Sequence, residues 1–328
     1  MMLGEALGRW LADAQGQAET MAAIEASGRD LRESAPMRDL RRELASAGRG
    51  GAEAVLAAAA RFLNRTDAVE GPLRAMIRAA LADPFCRPPL RTVSSAAHLG
   101  LLLVDDPALS ILLTVTPPDE VATWKTGRAG PASIRFGGQR TISKFLKAGG
   151  ATLSFWEAPE IHAGFTAETS GRCRLAGRRK IGDGETFPLD GRRQSFVIDH
   201  AVSDIVCLQA VTPLEAAPLA VEYDSATLAF AGASSTDEAS SRVQMMVSLL
   251  RIMDRLDAAP LIRDVLASPH FHVRWHAMRE FLALDAELAL PDLRAMAEAD
   301  RHPEVRAAAA ATLAAIVAEA AEESLCLA

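Results

Sequence analysis

The stretch GDGETFPLDGRRQ, residues 182–194, places two tight turns close together in a chain of 328 residues. The Gly-Asp-Gly turn that opens it and the Asp-Gly pair near its end are both typical of turns that join two strands of a β-hairpin. Runs rich in β-branched and aromatic residues follow at Ser195–Asp199 and Asp204–Thr212. The stretch therefore predicts antiparallel strands connected by short turns, not a parallel sheet with crossover helices.

The same pattern extends over residues 96–232, where short runs of Val, Ile, Thr and Phe alternate with Gly, Pro and Asp. Many short strands with frequent turn signals favour a β-sandwich or barrel. The predicted strands are Leu109–Thr116, Ser133–Phe136, Ile142–Lys147, Thr152–Trp156, Cys173–Ile181, Ser195–Asp199, Asp204–Thr212 and Leu219–Tyr223.

Residues 182–212 resemble the second half-motif of the cupin family, the RmlC-like jelly rolls, and the resemblance extends over about residues 105–223. In cupins a Gly-Asp turn leads through a short strand and a second Gly turn to a histidine that binds the metal. Here Gln194 stands at the histidine position, and residues 140–170 contain no H-x-H pair. The resemblance therefore implies a jelly roll that lacks the usual metal site, and we expect neither metal nor cofactor.

Helical spacing of apolar residues flanks this region on both sides. Residues 1–95 predict a small bundle of about four helices, with Val55, Ala59, Phe62 and Leu63 on one buried face. Residues 233–328 return to helix. The fold class expected is α+β, with an N-terminal helical domain, a cupin-like β domain and C-terminal helical repeats.

The C-terminal region aligns with itself at an offset of 32 residues. Val273-Arg274 and Ala277 fall on Val305-Arg306 and Ala309, and Phe281 falls on Leu313. Each unit consists of a helix, a polar turn with proline and a second helix, a pattern that resembles the HEAT repeat. The resemblance implies a protein-binding or scaffolding surface, because such units bury their apolar faces only against neighbours.

Three histidines lie in the second helix of the first repeat, in the segment SPHFHVRWHAMREF, residues 268–281. At about 100° per residue His272 and His276 share one flank of the helix, whereas His270 lies roughly 160° away at the helix start. A zinc ion needs at least a third protein ligand. We therefore expect no metal here, and predict that His272 and His276 lie on a flank that meets a partner.

A catalytic site in the β region has one candidate, built from Glu160, His162 and His200, with Glu157 as a further carboxylate. Alternating residues of a strand share a face, so Glu160 and His162 could act together. The alternative is that these residues lie at a rim or in turns. The sequence has no G-x-S-x-G nucleophile elbow and no phosphate-binding loop.

Residues 125–193 contain 13 Lys and Arg against six Asp and Glu, a net charge of +7 in a chain of net charge −7. Arginines bind carboxylate or phosphate in a bidentate manner, which predicts an acidic peptide or an anionic small molecule as ligand. The alternative is a solvated strand face with internal ion pairs. The acidic chain and its single tyrosine argue against nucleic acid. The predicted binding residues are Arg172, Arg174, Arg178, Arg179, Arg192 and Arg193.

The four cysteines are scattered without a C-x-x-C pair, and the longest charge-free apolar run near the end, Ala307–Ala318, is too short to span a membrane. We therefore expect a cytoplasmic protein with no membrane partner. The leading hypothesis is a non-catalytic adaptor that binds a protein or peptide. The alternatives are a metal-dependent cupin-type enzyme acting on a peptide or small molecule, and a sensor of an anionic small ligand.

Overall fold

A computed structural model describes residues 2–47, 50–65, 67–94, 99–119, 133–162 and 164–326. The fold is α+β, with N-terminal helices, an antiparallel sheet region in the middle and C-terminal helices. By contact the chain forms two compact units. The first comprises Met1–Ala158, Cys173–Ala216 and Tyr223–Ala229, and the second comprises Pro159–Arg172, Ala217–Glu222 and Phe230–Ala328.

Five helices of the first unit precede the strands. Val55, Ala59, Phe62 and Leu63, the residues predicted to share one helical face, are all buried in the fourth helix. The helices are α1 (Met2–Ala12), α2 (Ala14–Arg32), α3 (Ala35–Ala47), α4 (Gly51–Asn64) and α5 (Asp67–Ala82).

Twelve strands are described, and each of the eight predicted strands corresponds to one of them. They are β1 (Arg91–Ser94), β2 (Leu99–Asp106), β3 (Leu109–Thr116), β4 (Ser133–Phe136), β5 (Arg140–Lys147), β6 (Thr152–Glu157), β7 (Arg174–Lys180), β8 (Thr186–Asp190), β9 (Gln194–His200), β10 (Ile205–Thr212), β11 (Leu219–Asp224) and β12 (Phe230–Ser235). The sequence patterns missed β1, β2, β8 and β12.

Two antiparallel sheets of the first unit hold nine of these strands. One has six strands in the order β1-β2-β3-β10-β5-β8, and the other has three in the order β7-β6-β9. The helices pack on the larger sheet, because Leu63 of α4 and Leu109 of β3 belong to one continuous apolar core. The N-terminal helices and the β region therefore share a core.

Four phenylalanines fill the space between these two sheets. Phe145 of β5 and Phe187 of β8 come from the larger sheet, and Phe155 of β6 and Phe196 of β9 come from the smaller one. The ring centroids of Phe145 and Phe187 lie 5.7 Å apart, as do those of Phe187 and Phe196, and the rings of Phe155 and Phe187 lie 5.5 Å apart. The interior of the β region is thus occupied by side chains at this level.

The second unit contains the C-terminal helices α6 (Glu238–Ile252), α7 (Ala259–Leu266), α8 (Phe271–Leu284), α9 (Ala286–Ala299) and α10 (Pro303–Cys326), with a short 3-10 turn at Leu256–Ala258. Asp237 caps α6 by accepting hydrogen bonds from the backbone N–H groups of Ala239 and Ser240. Helix α8 packs against α6, α7 and α9, and α10 packs against α9.

The 32-residue repeat in the sequence corresponds to a repeated hydrogen bond in the structure. The guanidinium of Arg274 donates to the carbonyl of Ser268, and that of Arg306 donates to the carbonyl of Asp300, six residues back in both cases. Val273 and Val305 are equally buried at 2% and 3% exposure. The two helical pairs thus repeat one local arrangement.

Among the described residues, we find no helix with the length and apolar character needed to cross a bilayer.

Candidate functional site

Helix α6 and the segment after it carry seven large apolar side chains that point into solvent. Leu249, Ile252 and Met253 are 54%, 66% and 54% exposed, and Met245 is 71% exposed. These residues recur at helical spacing along one side of α6. We use the name apolar face for the exposed apolar side chains of α6 and of the segment that follows it, which are Met245, Met246, Leu249, Ile252, Met253, Leu256 and Leu261.

The other side of α6 is anchored in the second unit. Val247 is 3% exposed and belongs to a core with Ile262 of α7 and Phe281 of α8. A set of polar contacts to α8 adds to this packing, since Arg251 pairs with Glu280. Because these contacts hold α6 in place, the apolar face has a defined position in the second unit.

His276 lies within this polar contact between α6 and α8. Its Nε2 atom is 3.0 Å from the hydroxyl of Ser248 and 3.1 Å from the carbonyl of Gln244. Burial opposes ionisation of the neighbouring Glu280, but hydrogen bonds from Arg251 and Ser248 hold the pKa of that carboxyl below its ordinary value. His276 therefore joins two helices, and its predicted role in meeting a partner stays a prediction.

His272 is half-buried in the first turn of α8. Both ring nitrogens are inaccessible to solvent, and neither has a hydrogen-bond partner among the described residues. Burial, followed by the charge of His270, lowers the pKa of His272 to about 4. The imidazole is consequently neutral at physiological pH, with one donor and one acceptor nitrogen still to be satisfied.

The predicted catalytic residues are divided between the two compact units. The Nδ1 atom of His162 accepts a hydrogen bond from the backbone of Gly164 in a loop of the second unit, where Glu160 also lies. His200 is exposed at the end of β9 in the first unit. Among the described residues, no group of three or more His, Cys, Asp or Glu is placed to hold a metal ion.

Gln194, which stands at the cupin histidine position, lines a cavity of about 250 Å³ together with Trp156 and Arg179. Its side-chain oxygen accepts a hydrogen bond from the backbone of Asp190 at 3.2 Å, so Gln194 ties the turn before β9 to the strand.

Burial raises the pKa of the Cys207 thiol to about 12, which leaves that sulfur a poor nucleophile.

Four of the six predicted binding arginines form ion pairs within the first unit. Arg174 pairs with Glu157, Arg178 with Asp199 at 2.8 Å, Arg179 with Glu185, and Arg192 with Asp190 at 2.7 Å. Arg172 lies at an exposed position, and Arg193 lies in the turn before β9. Lys125 and Arg128, which contributed to the basic character of residues 125–193, fall outside the described residues.

The position of β7 gives the arginine cluster a structural explanation. This strand is the edge of the three-stranded sheet, and it carries Arg174, Arg178, Arg179 and Lys180. Charged side chains on an edge strand prevent its free backbone groups from pairing with another chain. The internal ion pairs and the edge position together favour the alternative interpretation of a solvated, self-paired strand.

No protein-family model matches the chain, and a comparison with curated proteins gives no match. Among solved structures, ectoine synthase from P. lautus matches at 14% identity over 38% of this chain and 69% of that chain, with a TM-score of 0.23. A cupin domain from Bordetella pertussis Tohama I matches at 11% identity over 37% of this chain and 97% of that chain, with a TM-score of 0.22. A DMSP lyase from Ruegeria pomeroyi DSS-3 matches at 9% identity over 44% of this chain and 62% of that chain, with a TM-score of 0.25. Each of these structures is similar to less than half of this chain.

Proposed function

We propose that this protein is a non-catalytic binding protein that captures a protein partner on the apolar face of its C-terminal helical region. The observation that carries the proposal is the exposure of seven large apolar side chains along α6 and the segment after it. Large apolar patches on the surface of a folded protein mark interaction sites, whereas single exposed apolar residues are common and need no explanation.

The size and composition of the face fit a helical partner. Together its side chains expose on the order of 800 Å², about what each side of a standard-size interface buries. Three of the seven are methionines, Met245, Met246 and Met253, whose flexible thioethers adapt to varied apolar surfaces. The face extends along a helix, so the best complement is the apolar side of an amphipathic helix from another protein.

Two features of the β region support a non-catalytic role. A glutamine occupies the position at which the cupin pattern has a metal-binding histidine, and four phenylalanines occupy the interior. The repeated helical pairs of the second unit support the HEAT-like assignment, and in such arrays each unit needs a neighbour to cover its apolar side. The apolar face lies on the first helix of the array, where a partner would take the place of the missing neighbour.

The test is site-specific photo-crosslinking in cells of the source organism. A photoreactive amino acid is placed at Met245 in the full chain, and crosslinked proteins are identified by mass spectrometry. A crosslinked protein is accepted as a partner only if a reciprocal pull-down, with that protein as bait, recovers this chain. We expect the crosslink and the reciprocal recovery to disappear in the variant Leu249→Glu/Ile252→Glu.

Val317→Glu supplies the matched control, because Val317 is a similarly exposed apolar residue, at 56%, on α10. A partner that survives Leu249→Glu/Ile252→Glu, or is lost equally in Val317→Glu, contradicts the proposal. Light scattering on the purified chain separates a second outcome, in which the only partner is another copy of this chain.

A further inference from the structure

The second unit contains a cavity of about 440 Å³ that is distinct from the apolar face. Its walls combine aromatic rings with hydroxyls, one amide, one imidazole and one carboxylate. The residues that define its chemistry are Phe165, Phe230, Phe271, Gln244, His272 and Glu304.

The aromatic walls are held in place by their own contacts. Phe165 and Phe230 meet edge to face, with ring centroids 5.9 Å apart. Phe271 stacks on the buried ring of His302 at 3.8 Å with an interplanar angle of 7°. The aromatic rings of the cavity wall are therefore packed against other rings.

The described lining of the cavity contains one charged side chain, that of Glu304. Glu304 is the one carboxylate among its described lining residues, and none of those residues is lysine or arginine. His272 does not offset this charge, because burial keeps its imidazole neutral. An anion placed here would meet the carboxylate without a compensating cation, whereas an ammonium would be attracted to it.

One charged group is already positioned to receive a ligand. One oxygen of Glu304 accepts a hydrogen bond of 2.6 Å from the backbone N–H of Ala167, which fixes the carboxylate and leaves acceptor capacity on it. His272 contributes to the wall of the cavity, but its ring nitrogens are out of reach of solvent and do not face a ligand.

We propose that this cavity binds a primary amine that carries a small apolar or aromatic group. The ammonium lies against Glu304, and the apolar group packs on Phe230 and Phe271. Aromatic faces also attract cations, which adds to the preference for an amine. The amine belongs either to a free small molecule or to the N-terminus of a peptide.

The test is isothermal titration of the full chain with two probes that differ in charge but hardly in shape, 2-phenylethylamine and 3-phenylpropionate. We expect the amine to bind at least tenfold more tightly than the carboxylate at pH 7. The peptide Phe-Ala-Ala-amide and its acetylated form distinguish the two sources, since tighter binding of the free-amine peptide than of 2-phenylethylamine assigns the site to a peptide N-terminus.

Glu304→Gln should weaken 2-phenylethylamine binding at least tenfold while it keeps an oxygen for Ala167. Glu287→Gln is the matched control, because Glu287 is likewise an acidic residue in the first turn of a C-terminal helix. Circular dichroism checks that both variants fold. Equal binding of the two probes, no binding of the amine, or unchanged binding in Glu304→Gln would overturn the proposal.

Discussion

The guanidinium of Arg274 holds the carboxylate of Asp300 through two hydrogen bonds of 2.7 and 2.6 Å, with side chains that are 4% and 5% exposed. Arg274 also donates to the carbonyls of Ser268 and Pro269, so one side chain joins the turn before α8 to the turn before α10. The two residues lie in consecutive copies of the 32-residue pattern. The buried pair therefore connects the repeats to each other.

Arg274→Met should destabilise the second unit by about 3–5 kcal/mol, because it leaves the carboxylate of Asp300 buried without its partner. Hydrogen exchange followed by mass spectrometry measures the effect locally, since peptides from α8 and α10 report on this unit alone. We expect both peptides to exchange faster in the variant.

The double variant Arg274→Met/Asp300→Leu provides the control for this prediction. It removes both charges, so its loss of protection should be smaller than that of Arg274→Met alone. Protection unchanged in Arg274→Met would mean that the pair does not link the repeats.

The half-buried His272 predicts a pH dependence of stability. Its pKa is about 4 in the folded chain, below the ordinary value of 6.5. Between these values the unfolded chain binds a proton that the folded chain does not, so stability falls as the pH is lowered from 6.5 towards 4. The melting temperature of the wild type should therefore drop more between pH 7 and pH 5 than that of His272→Gln.

His200→Gln is the control, because His200 is exposed on β9. Its drop in melting temperature between pH 7 and pH 5 should equal that of the wild type. An equal drop in His272→Gln and the wild type would show that the imidazole is protonated as readily in the folded chain as in the unfolded one.

The phenylalanine cluster predicts a large effect of a single truncation. Phe145 is 1% exposed and contacts the rings of Phe187 and Phe196. Phe145→Ala should reduce the free energy of unfolding by about 3–5 kcal/mol, as truncation of a buried aromatic residue does. Urea denaturation measures this, and Leu175→Ala on the edge strand, at a residue 47% exposed, should have little effect. Similar losses in the two variants would mean that the space between the sheets is loosely packed.

Arg179 should contribute more to stability than its neighbour Arg174 on the same strand. Its guanidinium lies 5.0 Å from the ring centroid of Phe155 and 5.5 Å from that of Phe187, in addition to its ion pair with Glu185. Arg174 is 72% exposed and pairs with Glu157. We expect Arg179→Ala to cost about 1 kcal/mol and Arg174→Ala about half as much or less, by urea denaturation. The reverse order would rule out a contribution from the ring contacts.

Two of the four missed strands, β8 and β12, have features that conceal them in the sequence. β8 contains Pro188, which argues against a central strand, and β8 is indeed the edge of the six-stranded sheet. β12 has the sequence FAGASS, in which small residues hide the alternation that identifies a strand. Turn chemistry and β-branched residues were enough to predict the other antiparallel strands, because these are local signals.

The candidate site was less accessible to sequence reasoning. Helical spacing correctly placed His272 and His276 on α8, but whether a flank meets water, a cavity or another helix depends on contacts between distant segments. The same limit applies to Met246, whose spacing resembles that of a core residue although it is 65% exposed. One signal was present, since Met245 and Met246 directly precede the buried Val247, so the apolar residues of α6 are more than one buried stripe needs.

The same kind of substitution should change stability little on one side of α6 and strongly on the other. Leu249 is 54% exposed on the apolar face, and Val247, two residues earlier, is 3% exposed against Ile262 and Phe281. A glutamate at an exposed position changes stability by about 0.5 kcal/mol or less. A glutamate in a packed apolar core loses the packing of valine and buries an unpaired charge, which costs several kcal/mol. Leu249→Glu should therefore leave hydrogen exchange of α6 and α8 unchanged, whereas Val247→Glu should abolish their protection. If Leu249→Glu instead removes protection as strongly as Val247→Glu, the face is covered in the purified chain itself, and it is not available to a partner.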